Sequence, residues 1–305
     1  MTKIAIMGSI HVDGCSILKK NGCDVFEISD FSSDNLIKKL QDVDGIALRT
    51  AKLTENILKQ CHKLKIVARH GVGYDNVDLD YLNNHKIALA ITGTANAVSV
   101  AEHVMSMFLH ICKMNKLSDQ LVRDGKFAEQ NLLPDFFELY KKNILILGFG
   151  RIGKALAKRC LGFDSAVYVY DPFIDISIIK KNNCFPINFE EGLKIADFVS
   201  VHIPLNEKTK NMISKDQLMM MKNTCILVNT ARGGIVNEQD LIWALTNKEI
   251  YGAGTDVYEN EPPKNDNPLF ELDNIVLSPH SAALTLECRK RMAIETCENI
   301  INYLN

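Results

Sequence analysis

The sequence predicts an α/β protein built from two doubly wound parallel sheets, and two observations carry this prediction. Short apolar segments of strand type alternate with amphipathic segments of helix type along the chain. Such alternation is typical of parallel sheets that helices cover on both faces. In addition, residues 3–8 (KIAIMG) resemble residues 143–148 (NILILG), and each segment begins such an alternation. Two units are therefore expected, and 305 residues suffice for about two domains.

The elements are predicted in chain order from the spacing of apolar residues. The predicted strands of the first half are 3–7, 24–28, 44–49, 65–69 and 87–91. The predicted helices of the first half are 11–21, 33–41, 54–61 and 78–84. The predicted strands of the second half, with helices between them, are 143–147, 166–170, 197–202, 224–229, 250–255 and 274–278. Residues 96–125 predict one long connecting helix, and residues 284–304 predict a final helix.

Three glycines, Gly148, Gly150 and Gly153, lie between the predicted strand 143–147 and a helix over 151–163. The first suits a tight turn, the second lets a pyrophosphate approach the backbone, and the third allows close helix–strand packing. The helix N-terminus offers unpaired N–H groups to the phosphates. The bare glycine pattern is a weak signal, because most matches are ordinary turns. Its place between a strand and a helix favours a dinucleotide site.

An acidic residue, Asp171, follows the next predicted strand, 166–170, and lies 18 residues after Gly153. A carboxylate at this place accepts hydrogen bonds from the ribose hydroxyls and repels a 2′-phosphate, so the cofactor is predicted to be NAD. The first half continues after Gly8 with the sequence SIH and lacks the glycine pattern. Only the second half is therefore expected to bind a dinucleotide.

Composition and charge argue against several classes of protein. The 35 Lys and Arg residues nearly balance the 37 Asp and Glu residues, and no basic stripe occurs, so nucleic acid is not an expected partner. The most apolar stretch, residues 97–112, contains Glu102, His103 and His110, which predicts a buried helix and no membrane span. Nine cysteines without a C-x-x-C pair favour a cytoplasmic location and argue against disulfides and a metal site.

Three polar motifs follow predicted strands of the second half, where ligands of open α/β sheets bind. They are residues 229–234 (NTARGG), 256–263 (DVYENEPP) and 278–283 (SPHSAA). The arginine Arg232 can hold a carboxylate through two hydrogen bonds, and His280 can exchange a proton near neutral pH. The carboxylate of Glu261 would fix the tautomer of such a histidine. Taken singly, each residue has a structural interpretation: a surface arginine, a solvated loop acid or a core histidine. Their occurrence together after strands favours a catalytic role.

On these motifs the chain resembles the D-isomer-specific 2-hydroxyacid dehydrogenase family, close to its phosphoglycerate dehydrogenase branch. The similarity extends from about residue 45 to the C-terminus and includes residues 68–78 (ARHGVGYDNVD) and 99–103 (SVAEH). The resemblance implies hydride transfer between NAD(H) and a 2-hydroxy or 2-oxo acid, two Rossmann- or flavodoxin-like domains, and a homodimer. It also implies that a nucleotide domain of residues 96–283 is inserted into a substrate-binding domain of residues 1–95 plus 284–305.

The resemblance further implies roles for single residues. Arg232 would bind the substrate carboxylate, His280 would take or give the hydroxyl proton, and Glu261 would orient His280 and raise its pKa. Val72 and Gly73 match a backbone cradle for the substrate carboxylate. The implied cofactor contacts are Gly148, Gly150, Arg151, Ile152, Gly153, Asp171, Ile203, Thr230, Ala231 and, at the nicotinamide carboxamide, Asp256. We interpret His202 as a cofactor-lining or structural residue.

Three questions stay open at the level of sequence. Arg49 and Arg69 align with positions that face the distal phosphate in phosphoglycerate dehydrogenases, which favours 3-phosphoglycerate or another dianionic acid; the alternative is a general family feature or interface salt bridges. The apolar helix over residues 99–110 is either a dimer interface or intramolecular core. Finally, an NAD(H)-sensing corepressor of the same fold is an alternative function, and turnover of 2-oxo acids would separate it from an enzyme.

Overall fold

The computed structural model describes residues 1–304, which form two compact units. The first unit consists of Met1–Asn96 together with the chain from Ala283 onward, and the second unit is Ala97–Ala282. The strands are β1 (Lys3–Met7), β2 (Asp24–Ile28), β3 (Gly45–Leu48), β4 (Ile66–Arg69), β5 (Ala88–Ile91), β6 (Asn143–Leu147), β7 (Ala166–Tyr170), β8 (Phe185–Pro186), β9 (Phe198–Val201), β10 (Ile226–Asn229), β11 (Gly252–Thr255) and β12 (Ile275–Leu277).

The helices flank these strands in both units. They are α1 (Val12–Lys20), α2 (Ser33–Leu40), α3 (Glu55–Leu58), α4 (Leu79–Asn84), α5 (Ala97–Cys112), α6 (Asn115–Arg123), α7 (Arg151–Leu161), α8 (Ile176–Lys181), α9 (Phe189–Ile195), α10 (Lys215–Met220), α11 (Glu238–Thr246) and α12 (Leu286–Leu304). Two short 3-10 helices span Phe127–Leu132 and Pro268–Glu271. Among residues 1–304, no helix has the length and apolar character that crossing a membrane requires.

The first unit contains a parallel sheet with the strand order β2-β1-β3-β4-β5. Alternate residues of β1 point to opposite faces of this sheet. Ala5 and Met7 belong to a core that includes residues of α2, whereas Ile4 and Ile6 belong to a core that includes Ile300 of α12. Because both faces of β1 are buried, its sequence is apolar almost throughout, as expected for a central parallel strand.

The second unit contains a parallel sheet with the order β12-β11-β10-β9-β6-β7-β8. Its central strand β6 is also buried on both faces: Ile144 and Ile146 pack in the core that includes α5 and α7, and Leu145 and Leu147 pack in the core that includes α9 and α11. The strand order reverses between β6 and β9. This reversal is the switch point at which open α/β sheets bind ligands beyond their strand ends.

The prediction of two doubly wound parallel sheets is confirmed, and so is the buried helix over residues 97–112. The single helix predicted over residues 96–125 is wrong, because the chain breaks into α5 and α6. Met114 adopts a left-handed conformation with φ of 49°, and Ser118 then begins a new helical ladder on the carbonyl of Met114. The structure also adds β8, a two-residue edge strand beside β7 that the sequence analysis did not predict.

Candidate active site

The glycine loop connects β6 to α7, as predicted. Gly148 has a φ of +95°, and a Cβ atom there would lie 2.6 Å from the carbonyl oxygen of His202. A Cβ atom on Gly153 would collide with the carbonyl oxygen of Gly148. A Cβ atom on Gly150 would instead meet open space within residues 1–304. Two glycines thus permit close packing and the third leaves room beside the helix N-terminus, which fits a bound pyrophosphate.

Asp171 directly follows β7 and reaches back to this loop. Its Oδ2 accepts a hydrogen bond of 2.8 Å from the backbone N–H of Phe149, and its Oδ1 accepts one of 2.9 Å from that of Phe173. An ionised carboxylate has about four acceptor positions, so two remain for other donors. The side chain therefore supports the loop from within and keeps the capacity to accept bonds from ribose hydroxyls.

Buried polar atoms without partners lie after two neighbouring strands. Within residues 1–304, neither Thr230 Oγ1, after β10, nor His202 Nδ1, after β9, has a hydrogen-bond partner. Buried polar groups in native proteins are nearly always satisfied, by a ligand or water if not by protein. Ile203 and Ala231 adjoin these two residues in the sequence. This edge of the sheet thus fits a polar cofactor group, and the predicted contacts of Ile203, Thr230 and Ala231 stay predictions.

The ring of His202 makes one polar contact, a hydrogen bond of 2.8 Å between its Nε2 and Ser200 Oγ. Burial lowers the pKa of His202 to about 3. The ring is therefore neutral near pH 7 and unsuited to proton exchange there, which supports the interpretation of His202 as a lining or structural residue.

His280 and Glu261, from separate loops, meet in a hydrogen bond of 2.7 Å between Nδ1 and Oε2. The bond to Glu261, against the opposing effect of burial, raises the pKa of His280 above its usual value. Burial alone would raise the pKa of Glu261, but the hydrogen bond and charge of His280 outweigh it, so that pKa lies below its usual value. A further hydrogen bond of 3.1 Å from the backbone N–H of Tyr258 holds Glu261 Oε1. The pair thus favours an imidazolium beside a carboxylate.

Arg232 lies in the loop after β10, and its charge lowers the pKa values of both His280 and Glu261. Its Nη1 donates a hydrogen bond of 2.7 Å to the carbonyl oxygen of Ala231. Asn229 organises this loop, because its Oδ1 accepts from the N–H of Ala231 and its Nδ2 donates to the carbonyl of Arg232. The structure therefore brings the three predicted catalytic side chains into one electrostatic cluster.

Asp256 follows β11 and is 1% exposed. Its Oδ1 accepts hydrogen bonds from Ser278 Oγ and from the N–H of Ser281, at 2.8 Å, and its Oδ2 accepts one of 3.0 Å from the N–H of Ala282. These donors belong to the loop that carries His280. The carboxylate thus braces that loop, and the expected contact with the nicotinamide carboxamide stays a prediction.

The predicted substrate-binding arginines lie in the first unit, after β3 and at the end of β4. Arg69 Nη1 donates to the carbonyl oxygens of Leu48, at 3.2 Å, and of Arg49, and its Nε donates to Asn76 Oδ1 at 3.1 Å. Arg49 Nη1 donates to the carbonyl oxygen of Ser9 at 3.3 Å. The hydrogen bonds of Arg69 therefore join the ends of β3 and β4, whereas Arg49 is held by a longer hydrogen bond to Ser9.

The loop after β4 contains Val72 and Gly73, which are half-buried. Next to it, His70 is buried, and within residues 1–304 its Nε2 has no hydrogen-bond partner. Burial lowers the pKa of His70 to about 4, so its ring is neutral near pH 7. Because the ring of His70 is neutral, the positive charge near this loop comes from Arg49 and Arg69.

Sequence reasoning missed the residues that hold these loops in place. A Cβ atom on Gly233 would collide with the carbonyl oxygen of Tyr258, so this glycine lets the loop of Arg232 touch the loop of Glu261. The hydroxyl of Tyr258 in turn donates to the carbonyl oxygen of Ser278 at 3.2 Å. The paired glycines in NTARGG were a signal for such a close approach, whereas nothing in the sequence indicated the tyrosine bond.

Fold and site together define a dinucleotide-binding α/β protein with an arginine, a glutamate and a histidine after the strands of its nucleotide unit. Residues 105–282 match the model of the D-isomer specific 2-hydroxyacid dehydrogenase, NAD binding domain. The chain belongs to the D-isomer-specific 2-hydroxyacid dehydrogenase family, so the predicted family and the predicted cofactor, NAD, are confirmed.

Relatives and solved structures agree with this membership. The chain is 33% identical over 301 residues to D-3-phosphoglycerate dehydrogenase of Archaeoglobus fulgidus, covering 98% of this chain and 57% of the relative. It is 34% identical over 313 residues to glyoxylate reductase of Pyrococcus furiosus, covering 99% and 92%. The crystal structure of NAD-dependent formate dehydrogenase from Staphylococcus aureus in complex with NAD is 29% identical, with a TM-score of 0.85 and coverage of 100% and 96%. The chain thus spans little more than half the length of the phosphoglycerate dehydrogenase.

Proposed function

We propose that this protein is an NAD-dependent D-2-hydroxyacid dehydrogenase, which interconverts a 2-hydroxy acid and the corresponding 2-oxo acid. The observation that carries the proposal is the hydrogen bond between His280 and Glu261, with the charge of Arg232 acting on both. These residues belong to the unit that contains the NAD-binding domain. We further propose that the first unit binds the substrate.

Three side chains of the protein would each have a separate role in the reaction. NAD, when bound, supplies or accepts the hydride at the substrate's C2 atom. Arg232 would hold the substrate carboxylate, for which its planar donor pair is suited. His280 would give a proton to the carbonyl oxygen during reduction and remove it during oxidation. Glu261 would stabilise the imidazolium and fix the ring, because its Oε2 accepts from Nδ1 and leaves Nε2 for the substrate.

The cofactor would lie along the carboxyl edge of the second sheet. The proposed contacts there are Gly148, Gly150, Arg151, Ile152, Gly153, Asp171, Ile203, Thr230, Ala231 and Asp256. The room beside Gly150 and the unpartnered hydroxyl of Thr230 support this placement. The inward bonds of Asp256 leave it the least supported of these contacts.

We propose a dianionic 2-hydroxy acid, such as 3-phosphoglycerate, as substrate. Val72 and Gly73 would receive the C1 carboxylate through backbone groups, and Arg49 and Arg69 would face the distal anion. Arg49 is the better candidate of the two, because Arg69 already bonds to Asn76 and to backbone carbonyls. The relatives' names do not discriminate, since one reduces glyoxylate and another dehydrogenates 3-phosphoglycerate at similar identity.

A steady-state panel with NADH absorbance as the readout tests both proposals. We expect kcat/KM for 3-phosphoglycerate or its 2-oxo form to exceed the values for glyoxylate and D-lactate. Arg49→Gln should lower kcat/KM for the dianion about 10- to 100-fold, the range of a lost charged hydrogen bond, and spare the monoanions. Lys63→Gln, a surface cation of the same unit paired with Asp42, is the matched control.

Two results of this panel would count against the proposals. A higher kcat/KM for glyoxylate or D-lactate than for every dianion would remove the dianion proposal and keep the enzyme. Absence of turnover across all acids, together with tight NADH binding, would replace the enzyme by an NAD(H)-sensing binding protein. His280→Ala is the catalytic control, and its kcat should fall about 10²- to 10⁴-fold if the observed activity belongs to this site.

We also propose a cytoplasmic homodimer. For the helix α5, burial of Val104, Met107 and Phe108 within the second unit supports the interpretation as core. The segment that follows α5 is exposed. Its helix α6 has no buried residue, and large apolar side chains are exposed between α6 and residue 136. They are Leu117, Val122, Phe127, Leu132 and Phe136. Five large apolar side chains exposed in one segment of a single chain support contact with a second copy.

A further inference from the structure

The helix α5 contributes one polar side chain, that of His103, to the strand-end network around Asp256. His103 Nε2 lies 2.9 Å from Ser278 Oγ and 3.7 Å from Asp256 Oδ1. The three residues come from α5, from the loop after β11 and from the loop after β12, all within the second unit.

The proton count fixes the direction of these bonds. Ser278 Oγ donates its single hydroxyl proton to Asp256 Oδ1. The same oxygen can then only accept a bond from His103, so the Nε2 atom of His103 carries a proton and donates it. The result is a chain in which a ring N–H donates to a hydroxyl and the hydroxyl donates to a carboxylate. Bonds in such a chain polarise and strengthen one another.

Asp256, the last acceptor in this series of hydrogen bonds, holds the backbone next to His280. The carboxylate of Asp256 accepts the N–H groups of Ser281 and Ala282, the two residues that follow His280. His280 itself has a φ of +51°, a left-handed conformation that is uncommon for residues other than glycine, with asparagine, aspartate and histidine adopting it more often than the rest. A residue in such a conformation persists only where its surroundings impose it. The carboxylate of Asp256 contributes to this constraint, because it holds the N–H groups of the two residues after His280.

We propose that His103 is a positioning residue for His280, acting through Ser278 and Asp256. By donating to Ser278, His103 keeps the serine hydroxyl directed at Asp256, and Asp256 keeps the loop folded with the ring of His280 against Glu261. This inference rests on the proposed function for its catalytic meaning. The geometry it describes is a property of the second unit without cofactor or substrate.

The ring of His280 can report on its own position in the protein without added cofactor. The charged groups that act on it are Glu261, Asp256 and Arg232. Its pKa is raised, chiefly through the bond to Glu261, so displacement of the ring from Glu261 should lower the NMR titration midpoint. The His280→Gln variant identifies the signal among the eight histidines.

Four variants test the chain of bonds. His103→Leu removes the donor and should lower the His280 midpoint, whereas His103→Gln places an amide where Nε2 lies and should restore it. Ser278→Ala should lower the midpoint as His103→Leu does, and the double variant should lower it no further, because both act through one path. The control is His110→Leu on the same helix, which should leave the midpoint unchanged.

Turnover supplies a second readout. We expect His103→Leu to lower kcat about 10- to 100-fold with the Kd for NADH within about threefold of wild type, since misplaced catalytic groups lose rate. A midpoint that stays unmoved in His103→Leu and Ser278→Ala, equal shifts in the Leu and Gln variants, or additive shifts in the double variant would each overturn the proposal. If the wild-type protein turns over no acid, the proposed function fails, and the NMR comparison still decides the role of His103.

Discussion

At the scale of single residues, the bond between His280 Nδ1 and Glu261 Oε2 decides which ring nitrogen can do chemistry. In the neutral ring, Nδ1–H donates to the carboxylate and Nε2 carries the free lone pair; in the imidazolium, both nitrogens carry protons. In the proposed function, proton exchange with a substrate therefore belongs to Nε2. The pKa of His280 is raised, so the protonated form, which the proposed reduction would require, persists to higher pH than in a free imidazole.

The first prediction concerns the pH dependence of reduction. In the wild type, kcat/KM for a 2-oxo acid should be constant at low pH and fall as pH rises through the raised pKa of His280. In Glu261→Gln the negative partner is lost, so the midpoint of this fall should move to lower pH and kcat should decrease. A pH–rate profile with NADH measures both effects. Glu259→Gln, a neighbouring carboxylate bound to the backbone of Glu238, is the control. An unmoved midpoint in Glu261→Gln would separate Glu261 from the function of His280.

The sequence could indicate these side chains but not the atoms that hold them. The sequence indicates Arg232, Glu261 and His280 as catalytic candidates because each follows a strand in a distinctive motif. The role of Asp256 in bracing the loop depends on Ser278, and that of His103 on a contact between residues 175 positions apart. Contacts between residues so far apart in the sequence arise from the packing of α5 against the sheet. No local sequence pattern predicts them.

At the scale of elements, the strands were predicted well because each central strand is buried on both faces and is therefore continuously apolar. The break between α5 and α6 was missed, because neither glycine nor proline marks it and the turn is made by Met114 in a left-handed conformation. The edge strand β8 has two residues, Phe185 and Pro186, which is too short for any alternation to register.

The second prediction concerns the link between β7 and the glycine loop. Asp171→Ala removes the acceptor for the N–H of Phe149 and the charge that disfavours a 2′-phosphate, whereas Asp171→Asn removes the charge and keeps an acceptor oxygen. Both variants should lower the preference for NADH over NADPH. The alanine variant should raise the Kd for NADH more than the asparagine variant does, to about 10- to 100-fold above the wild-type value. Fluorescence titration with both cofactors measures the Kd values. Asp175→Asn, at the N-terminus of α8, is the control. An unchanged preference in both variants would exclude Asp171 as the selective residue.

At the scale of the whole molecule, the two units have the two common strand orders of doubly wound sheets. The first has the flavodoxin-like order, and the second has the dinucleotide-binding order with one added strand. The chain leaves the first unit after Asn96 and re-enters it at Ala283, so α12 completes the core that begins with β1. In the sequence, only the family resemblance implied an inserted domain, of residues 96–283, because no proline-rich or low-complexity linker marks a border.

The last prediction concerns assembly. In a single chain, the side chains of Phe127 and Leu132 are 66% and 77% exposed, so aspartate at these positions should cost the fold little. At an interface between two copies, the same charges would lose their water and oppose association. We therefore expect the wild type to have the mass of two chains in light scattering, and Phe127→Asp/Leu132→Asp to have the mass of one, with an unchanged thermal unfolding profile. Met219→Asp, an exposed apolar position on α10, should leave the dimer intact. A wild-type monomer would remove the dimer proposal, and a dimer that survives the double substitution would place the interface on another surface.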